Sequence, residues 1–178
     1  GFYFMSERGL CFCDGTTVRV VSDNAVSSEL LGAMSSAVVS IRAAAFDGGY
    51  VRLQTHRTEP LGIFNYTEHA QFERAWSPVT RQCRGLIYDV GSSEVVARPW
   101  PKFFNHGERD QTFPDLPFEA FEKLDGSLII AFHDGERWRC ATKGSFRSEQ
   151  AVAAEALLTA FSDKLVPEDT YLFELIGP

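Results

Sequence analysis

Lys123 is where the chemistry of this sequence begins. It sits in Phe121-Glu122-Lys123-Leu124-Asp125-Gly126-Ser127, between an apolar segment (Phe118 to Phe121) and a second apolar run (Leu128 to Phe132). A lysine amine attacks an electrophile only after losing its proton. Its reference pKa near 10.4 must fall by roughly 3 units to act at neutral pH, which is about 4 kcal/mol of environment. Partial burial between apolar strands and neighbouring cations both push that way. Lys123 is read as a covalent nucleophile held at a strand end by a tight turn. The plain alternative is a lysine beside an ordinary Asp-Gly turn. Asp134-Gly135 makes the same turn with Phe132 in the place of the lysine.

Other blocks carry residues of matching chemistry. Arg84-Gly85-Leu86-Ile87 opens a strand with an arginine, and Lys102-Phe103-Phe104-Asn105 sets a lysine against two aromatics. Lys143-Gly144-Ser145 ends a strand with a lysine beside a flexible glycine, and Glu174 lies inside the apolar run Tyr171 to Ile176. Arg84 reads either as a surface strand residue or as a ligand contact, and Phe103 and Phe104 either as core or as base-stacking residues. Glu174 reads as functional, because carboxylates are rarely buried without a partner. Cations at strand ends, a nucleophilic lysine, an intrastrand carboxylate and aromatic neighbours together suit a nucleoside triphosphate. The cations neutralise phosphates, the lysine attacks the α-phosphorus, and the carboxylate holds a ribose hydroxyl or Mg2+.

Local signals place these residues on elements. Strands are expected at Thr17–Val21, Tyr50–Gln54, Leu61–Tyr66, Leu86–Val90, Val95–Arg98, Ser127–Phe132, Arg137–Thr142 and Tyr171–Ile176. Turns fall at Asp89 to Ser93 and at Asp134-Gly135. A helix is expected over Ser27–Ala45 from the three- and four-residue steps of Leu30, Met34, Val38 and Ile41. A second starts at a Thr67 cap and runs to Trp76, with Phe72 and Trp76 on one face and Pro78 as its stop. A third starts at a Ser148 cap and runs to about Leu165, with Leu157, Phe161 and Leu165 inward. Interspersed helices and hairpins predict an α+β fold with mainly antiparallel sheets and packed helices.

The 178 residues suit one domain, or one domain with an appendage. Hydrophobic residues at 44% argue against wholesale disorder, and a formal net charge of -7 leaves nucleic-acid binding to a local basic patch. One candidate patch is Arg137, Arg139, Lys143 and Arg147 with Trp138 and Phe146 interleaved; its alternative is a solvated strand face. No apolar stretch is long enough to span a membrane, and Glu7 and Arg8 interrupt the region where a secretion signal would lie. Cys11, Cys13, Cys83 and Cys140 lack paired zinc spacing and read as free or buried thiols in a reducing cytoplasm.

Lys123-Leu124-Asp125-Gly126-Ser127 matches the K-x-D-G-S signature of covalent nucleotidyltransferases: RNA ligases, DNA ligases and mRNA capping enzymes. The flanks resemble the phage-type RNA ligase 1 family in particular. They are Cys83-Arg84-Gly85-Leu86, Arg98-Pro99-Trp100-Pro101-Lys102-Phe103-Phe104-Asn105 with Glu108, Lys143-Gly144-Ser145 with Ser148-Glu149-Gln150-Ala151, and Phe173-Glu174-Leu175-Ile176-Gly177-Pro178. Order and spacing agree over about residues 61 to 178. The resemblance implies a nucleotidyltransferase (ATP-grasp-like ligase) adenylation domain over residues 56–178, preceded by residues 1–55 of unassigned role. It implies an ATP-dependent, Mg2+-using RNA repair enzyme: Lys123 takes AMP, passes it to an RNA 5′-phosphate, and a 3′-hydroxyl then displaces it.

By position, Arg84 and Lys102 would contact the triphosphate, with Tyr66 and Phe104 also at the nucleotide. Glu174 would contact the ribose. Glu122, Asp125 and Gly126 would shape the pocket beside the lysine, and Lys143 would support the phosphate side. No residue is assigned as a metal ligand. The family's downstream motifs, a metal-binding E-G-x-V-type strand and a lysine pair at the α-phosphate, do not occur before Pro178. The sequence is therefore expected to be a fragment or a C-terminally incomplete domain. The competing expectations are another nucleotidyltransferase (a DNA ligase or capping enzyme) and a truncated, non-catalytic module that binds nucleotide or RNA.

Overall fold

The computed structural model describes residues 2–6, 9–13, 18–20, 49–108, 116–117 and 119–177, the first three segments as backbone strands. The helix expected over residues 27–45 and the side chains of Cys11 and Cys13 lie outside the described residues. The expected α+β architecture with antiparallel pairing is present.

Among the described residues ten strands form two sheets. The first sheet has the order β3 (Val18–Val20), β2 (Gly9–Cys13), β1 (Phe2–Ser6), β10 (Thr170–Leu175), β8 (Ser127–His133), β9 (Trp138–Thr142). The second has the order β4 (Val51–Thr55), β5 (Leu61–Tyr66), β6 (Arg84–Asp89), β7 (Val95–Ala97). Alternation decides which face each residue serves. On β8, Ile130 and Phe132 join Leu172, Ile63, Ile87 and Ala141 in a core between the two sheets. Ile129 and Ala131 face the other way, onto Ala154 and Leu158 of helix α3 (Glu149–Leu158). A third core, of Val51, Phe64, Leu86 and Tyr88, covers the far face of the second sheet. Fully buried residues such as Ile130 and Phe132 each contribute roughly 1.5–3 kcal/mol of apolar transfer.

The turn chemistry read from the sequence is present. Asp89 accepts from Ser92 N at 2.6 Å, and Asp134 accepts from the backbone N–H groups of Glu136 and Arg137 at 2.9 Å each. Thr67 and Ser148 cap their helices by accepting from Ala70 N and Ala151 N, both at 3.2 Å.

Three helix expectations are corrected. Helix α1 covers only Glu68–Phe72, so Trp76 lies beyond it and shares no helix face with Phe72, which is exposed. Pro78 does not stop that helix; it starts another, α2 (Pro78–Gln82), where its missing N–H costs nothing, behind a Ser77–Thr80 capping box. Helix α3 ends at Leu158 and a short 3-10 turn (Ser162–Lys164) follows. Leu158 rather than Leu157 faces the core, because Ala151, Ala154 and Leu158 keep helical spacing on the buried side. Among the described residues no helix is long and apolar enough to cross a membrane. Cys83 and Cys140 are free and buried, and burial pushes each thiol up to about 12.

Candidate active site

The inter-sheet core opens at one end into a cleft of about 510 Å³. Strand ends and turns deliver the chemistry there, so apolar strand interiors hold the polar tips in place. Tyr66 ends β5 and Arg84 starts β6. The positive φ of Gly85 (88°) lets β6 pass close to the turn after β9: a Cβ there would stand 3.3 Å from Lys143 Cα. Lys143 thus lies beside Arg84's strand, with its ammonium 5.2 Å from the Tyr66 ring centroid.

Arg84 is half-buried, which removes the surface-strand reading. Burial lowers its pKa, while Tyr66 and Glu174 act to raise it. Its guanidinium lies over the Phe103 ring at 5.3 Å. Phe103 is 54% exposed and Phe104 half-buried, so neither is core. Phe104 packs edge-on to Trp76, and Trp76 edge-on to Tyr66. Lys102 places its ammonium 4.6 Å from the Phe104 centroid and donates to Phe103 O at 2.8 Å. The block after β7 therefore forms a cation–aromatic wall, each solvent-accessible contact of this kind contributing about 0.5–1 kcal/mol.

Lys123 lies in an irregular exposed segment just before β8. The expected strand end and lowered pKa are both corrected. The side chain is 82% exposed, and its ammonium donates to Asp125 at 2.5 Å. Hydrogen bonding and charge from Asp125, with a smaller contribution from Glu174, raise its pKa above the ordinary lysine value. An exposed lysine beside a carboxylate keeps its proton; burial is too slight to compete.

Glu174 is exposed, not buried, because it projects from the inter-sheet face of β10 where the core has already opened. Its charge reaches both Arg84 and Lys123, and this links the two blocks. Gly126 is pinned: a Cβ there would collide with the Leu175 carbonyl and stand 3.1 Å from Ile176 Cδ1. Only a glycine lets the segment after Lys123 lie against the strand that carries Glu174. Glu122 is exposed and forms no ion pair or hydrogen bond among the described residues.

The structure thus brings Tyr66, Arg84, Lys123, Asp125, Gly126, Lys143 and Glu174 to one end of the sheets. Lys102 and Phe104 lie on the adjoining wall, and Glu122 makes no contact with the group. Arg52, Trp76 and Arg81 were not singled out by the sequence reading. Arg81 lies over the Phe104 ring at 5.7 Å and donates to Lys102 O at 3.1 Å. A signal for Arg52 existed in the β4–β5 hairpin, which pairs it with Asn65, next to Tyr66.

The basic stripe is not a free surface. Arg139 is 8% exposed and is held by Glu59, Asp134 and Glu155. Phe146 is buried in the inter-sheet core, and Arg137 leans toward Glu59. Among the described residues no group of three or more His, Cys, Asp or Glu side chains is placed to hold a metal ion. With Asp125 engaged by Lys123, the described residues alone do not build a protein-held Mg2+ site.

The cleft is lined by Arg52, Arg84 and Lys143, and the Lys123–Asp125 couple and the aromatic wall stand on neighbouring segments. The RNA ligase family profile matches residues 82–172, just over half of the chain, and the chain belongs to that family. The matched span holds Arg84, Lys102, Phe104, Glu122, Lys123, Asp125, Gly126 and Lys143; Tyr66 and Glu174 fall outside it.

The chain is similar to RNA ligase 1 of bacteriophage TS2126, with 36% identity over 121 residues, 57% of this chain and 30% of that protein. It is similar to the RNA ligase of Rhodothermus phage RM378, with 27% identity over 135 residues, 61% of this chain and 30% of that protein. A third relative, from Autographa californica nuclear polyhedrosis virus, bears the provisional name of a bifunctional polynucleotide kinase/RNA ligase. It is 33% identical over 112 residues, 52% of this chain and 16% of that protein. The chain therefore spans less than a third of the length of these curated relatives.

Proposed function

We propose that residues 56–178 are the nucleotide-handling part of an ATP-dependent RNA ligase adenylation domain with the nucleotidyltransferase fold. The observation that carries this is Glu174, whose charge reaches both Lys123 and Arg84, beside a cleft lined by Arg84 and Lys143, in a chain of this family.

Lys123 Nζ, once deprotonated, attacks the α-phosphorus of ATP. A P–N bond forms, the α–β phosphoanhydride breaks, and pyrophosphate leaves. Arg84, Lys102 and Lys143 offset the charge that develops on the phosphates. Glu174 accepts from a ribose hydroxyl, and the Tyr66–Trp76–Phe104 wall gives the nucleoside an apolar, cation-backed side. An RNA 5′-phosphate oxygen then attacks the same phosphorus, returning the electron pair and the proton to Lys123. A 3′-hydroxyl attacks the 5′-phosphorus and AMP leaves. Mg2+ is expected to arrive as the counterion of the triphosphate, where it screens phosphate charge.

One observation favours a second reading. The Lys123 ammonium is held protonated by Asp125, which suits a non-catalytic module that binds nucleotide or RNA by charge alone. Intact mass after incubation with ATP and Mg2+ separates the two. The ligase reading requires a gain of one AMP that Lys123→Ala abolishes. Retention of ATP without any covalent gain would support the binding module instead.

A further inference from the structure

The cleft has a wall that none of the roles above uses. Arg52 on β4 lines it together with Arg84, Lys143, Ser145 and Gln150, and none of the lining residues is acidic. In a chain of formal net charge -7 this is a local reversal of sign. The β4–β5 register delivers the guanidinium, because Arg52 pairs with Asn65 one residue before Tyr66.

The guanidinium reaches over the turn after β9. One of its nitrogens lies 2.8 Å from where a Cβ at Gly144 would stand, and Asn65 Nδ2 lies 3.7 Å from the same point. The absent side chain at Gly144 is thus what gives Arg52 its place. Asn65 is 5% exposed and its Oδ1 has no hydrogen-bond partner among the described residues.

Arg139 offers a contrast within the same fold: it is enclosed by three carboxylates. Arg52 is exposed and forms no ion pair among the described residues. Three cations facing one open space repel one another, and an anion in that space relieves all three. A guanidinium adds two parallel donors, the geometry that fits phosphate.

We propose that Arg52 is a third phosphate-binding cation of this cleft, and that the wall of Arg52, Arg84 and Lys143 holds the phosphoryl group lying beyond the α-phosphorus. Two sources share that chemistry: the pyrophosphate half of ATP, and the 5′-phosphate of an RNA end. The assignment of a reaction to this group rests on the nucleotidyl-transfer reading above, whereas its binding of phosphate does not.

The test is calorimetric titration of the chain with inorganic pyrophosphate, comparing the parent, Arg52→Ala, Arg52→Lys and Arg57→Ala, the last an exposed arginine of the β4–β5 loop. Loss of a charge-assisted bidentate contact should weaken pyrophosphate about 10-fold or more in Arg52→Ala, with partial recovery in Arg52→Lys and no change in Arg57→Ala. An Arg52→Ala affinity within twofold of the parent, or no pyrophosphate binding by the parent, overturns the proposal.

The sources separate by kinetics. A raised ATP concentration for half-maximal lysyl-AMP formation in Arg52→Ala assigns the wall to the leaving group. Unchanged adenylylation with slowed AMP transfer to 5′-phosphorylated RNA assigns it to the RNA end. Both steps unchanged overturns the proposal while leaving the ligase reading intact. Arg52-dependent pyrophosphate binding in a parent that forms no lysyl-AMP does the reverse.

Discussion

Replacing Arg139 should destabilise this protein rather than weaken a ligand. The guanidinium is 8% exposed and bridges Glu59 at the loop before β5, Asp134 in the β8–β9 turn and Glu155 on α3. It thereby ties the second sheet and the helix to the first sheet. Removing one member of a buried ion cluster costs about 3–5 kcal/mol, because the remaining charges stay uncompensated. Here the partners lie partly open, Glu59 at 30% and Glu155 at 36%, so water takes up part of the loss. We expect about 2–3 kcal/mol at neutral pH for Arg139→Met, which keeps the length and removes the charge.

With a urea slope of roughly 2 kcal/mol/M for a chain of this size, the denaturation midpoint should fall by about 1–1.5 M at unchanged slope. The pH dependence has a definite sign. Burial raises the pKa of Asp134, but hydrogen bonds from the backbone of Arg137 and Glu136 and from Arg139 outweigh it. The folded value lies below the ordinary carboxylate range. A depressed carboxylate adds stability above its unfolded pKa, and that stability is lost as pH falls through the folded value. The gap between parent and variant should therefore narrow from pH 7 toward pH 3. A midpoint shift below about 0.3 M at pH 7, or a gap that persists unchanged in acid, would refute the structural role of Arg139 and return it to the candidates for RNA contact.

Further outcomes follow from the site. Gly126→Ala would drive a Cβ into the Leu175 carbonyl, so a loss of about 1–3 kcal/mol is expected in the same denaturation assay; a stabilised variant would contradict the close approach. Asp125→Asn removes the largest contribution raising the Lys123 pKa. The rate at which an acetylating reagent labels Lys123, followed by peptide mass against pH, should reach half-maximum at lower pH than in the parent; a midpoint unmoved or shifted upward would show that Asp125 does not hold the proton.

The strands were legible because their alternation is strict. Leu61–Tyr66 matches its expected span, Ser127–Phe132 differs by one residue at its C-terminal end, and Tyr171–Ile176 differs by one residue at each end. Turns and caps were legible wherever a side chain makes the bond itself, as at Asp89, Asp134, Thr67 and Ser148. What failed depended on tertiary context. Pro78 punctuates a helix either by ending one or by starting the next, and the Ser77–Thr80 box decides for the start. Arg139 looked like its neighbours Arg137 and Arg147 in sequence. Only the fold reveals that Glu59, 80 residues away, reaches it. Lys123 was assigned to a buried strand end because apolar residues flank it, yet the segment before β8 lies exposed and Asp125 governs its proton. Arg52 carried no motif, and its place in the cleft came from strand register.

The residue to which AMP becomes attached identifies the nucleophile. Incubation with ATP and Mg2+, followed by proteolysis and tandem mass spectrometry, measures this directly. The account predicts AMP on Lys123 in the peptide that also contains Asp125 and Gly126, and none in Lys123→Ala. AMP found on Lys102 or Lys143, or a folded chain that binds ATP and carries no adduct, would contradict it.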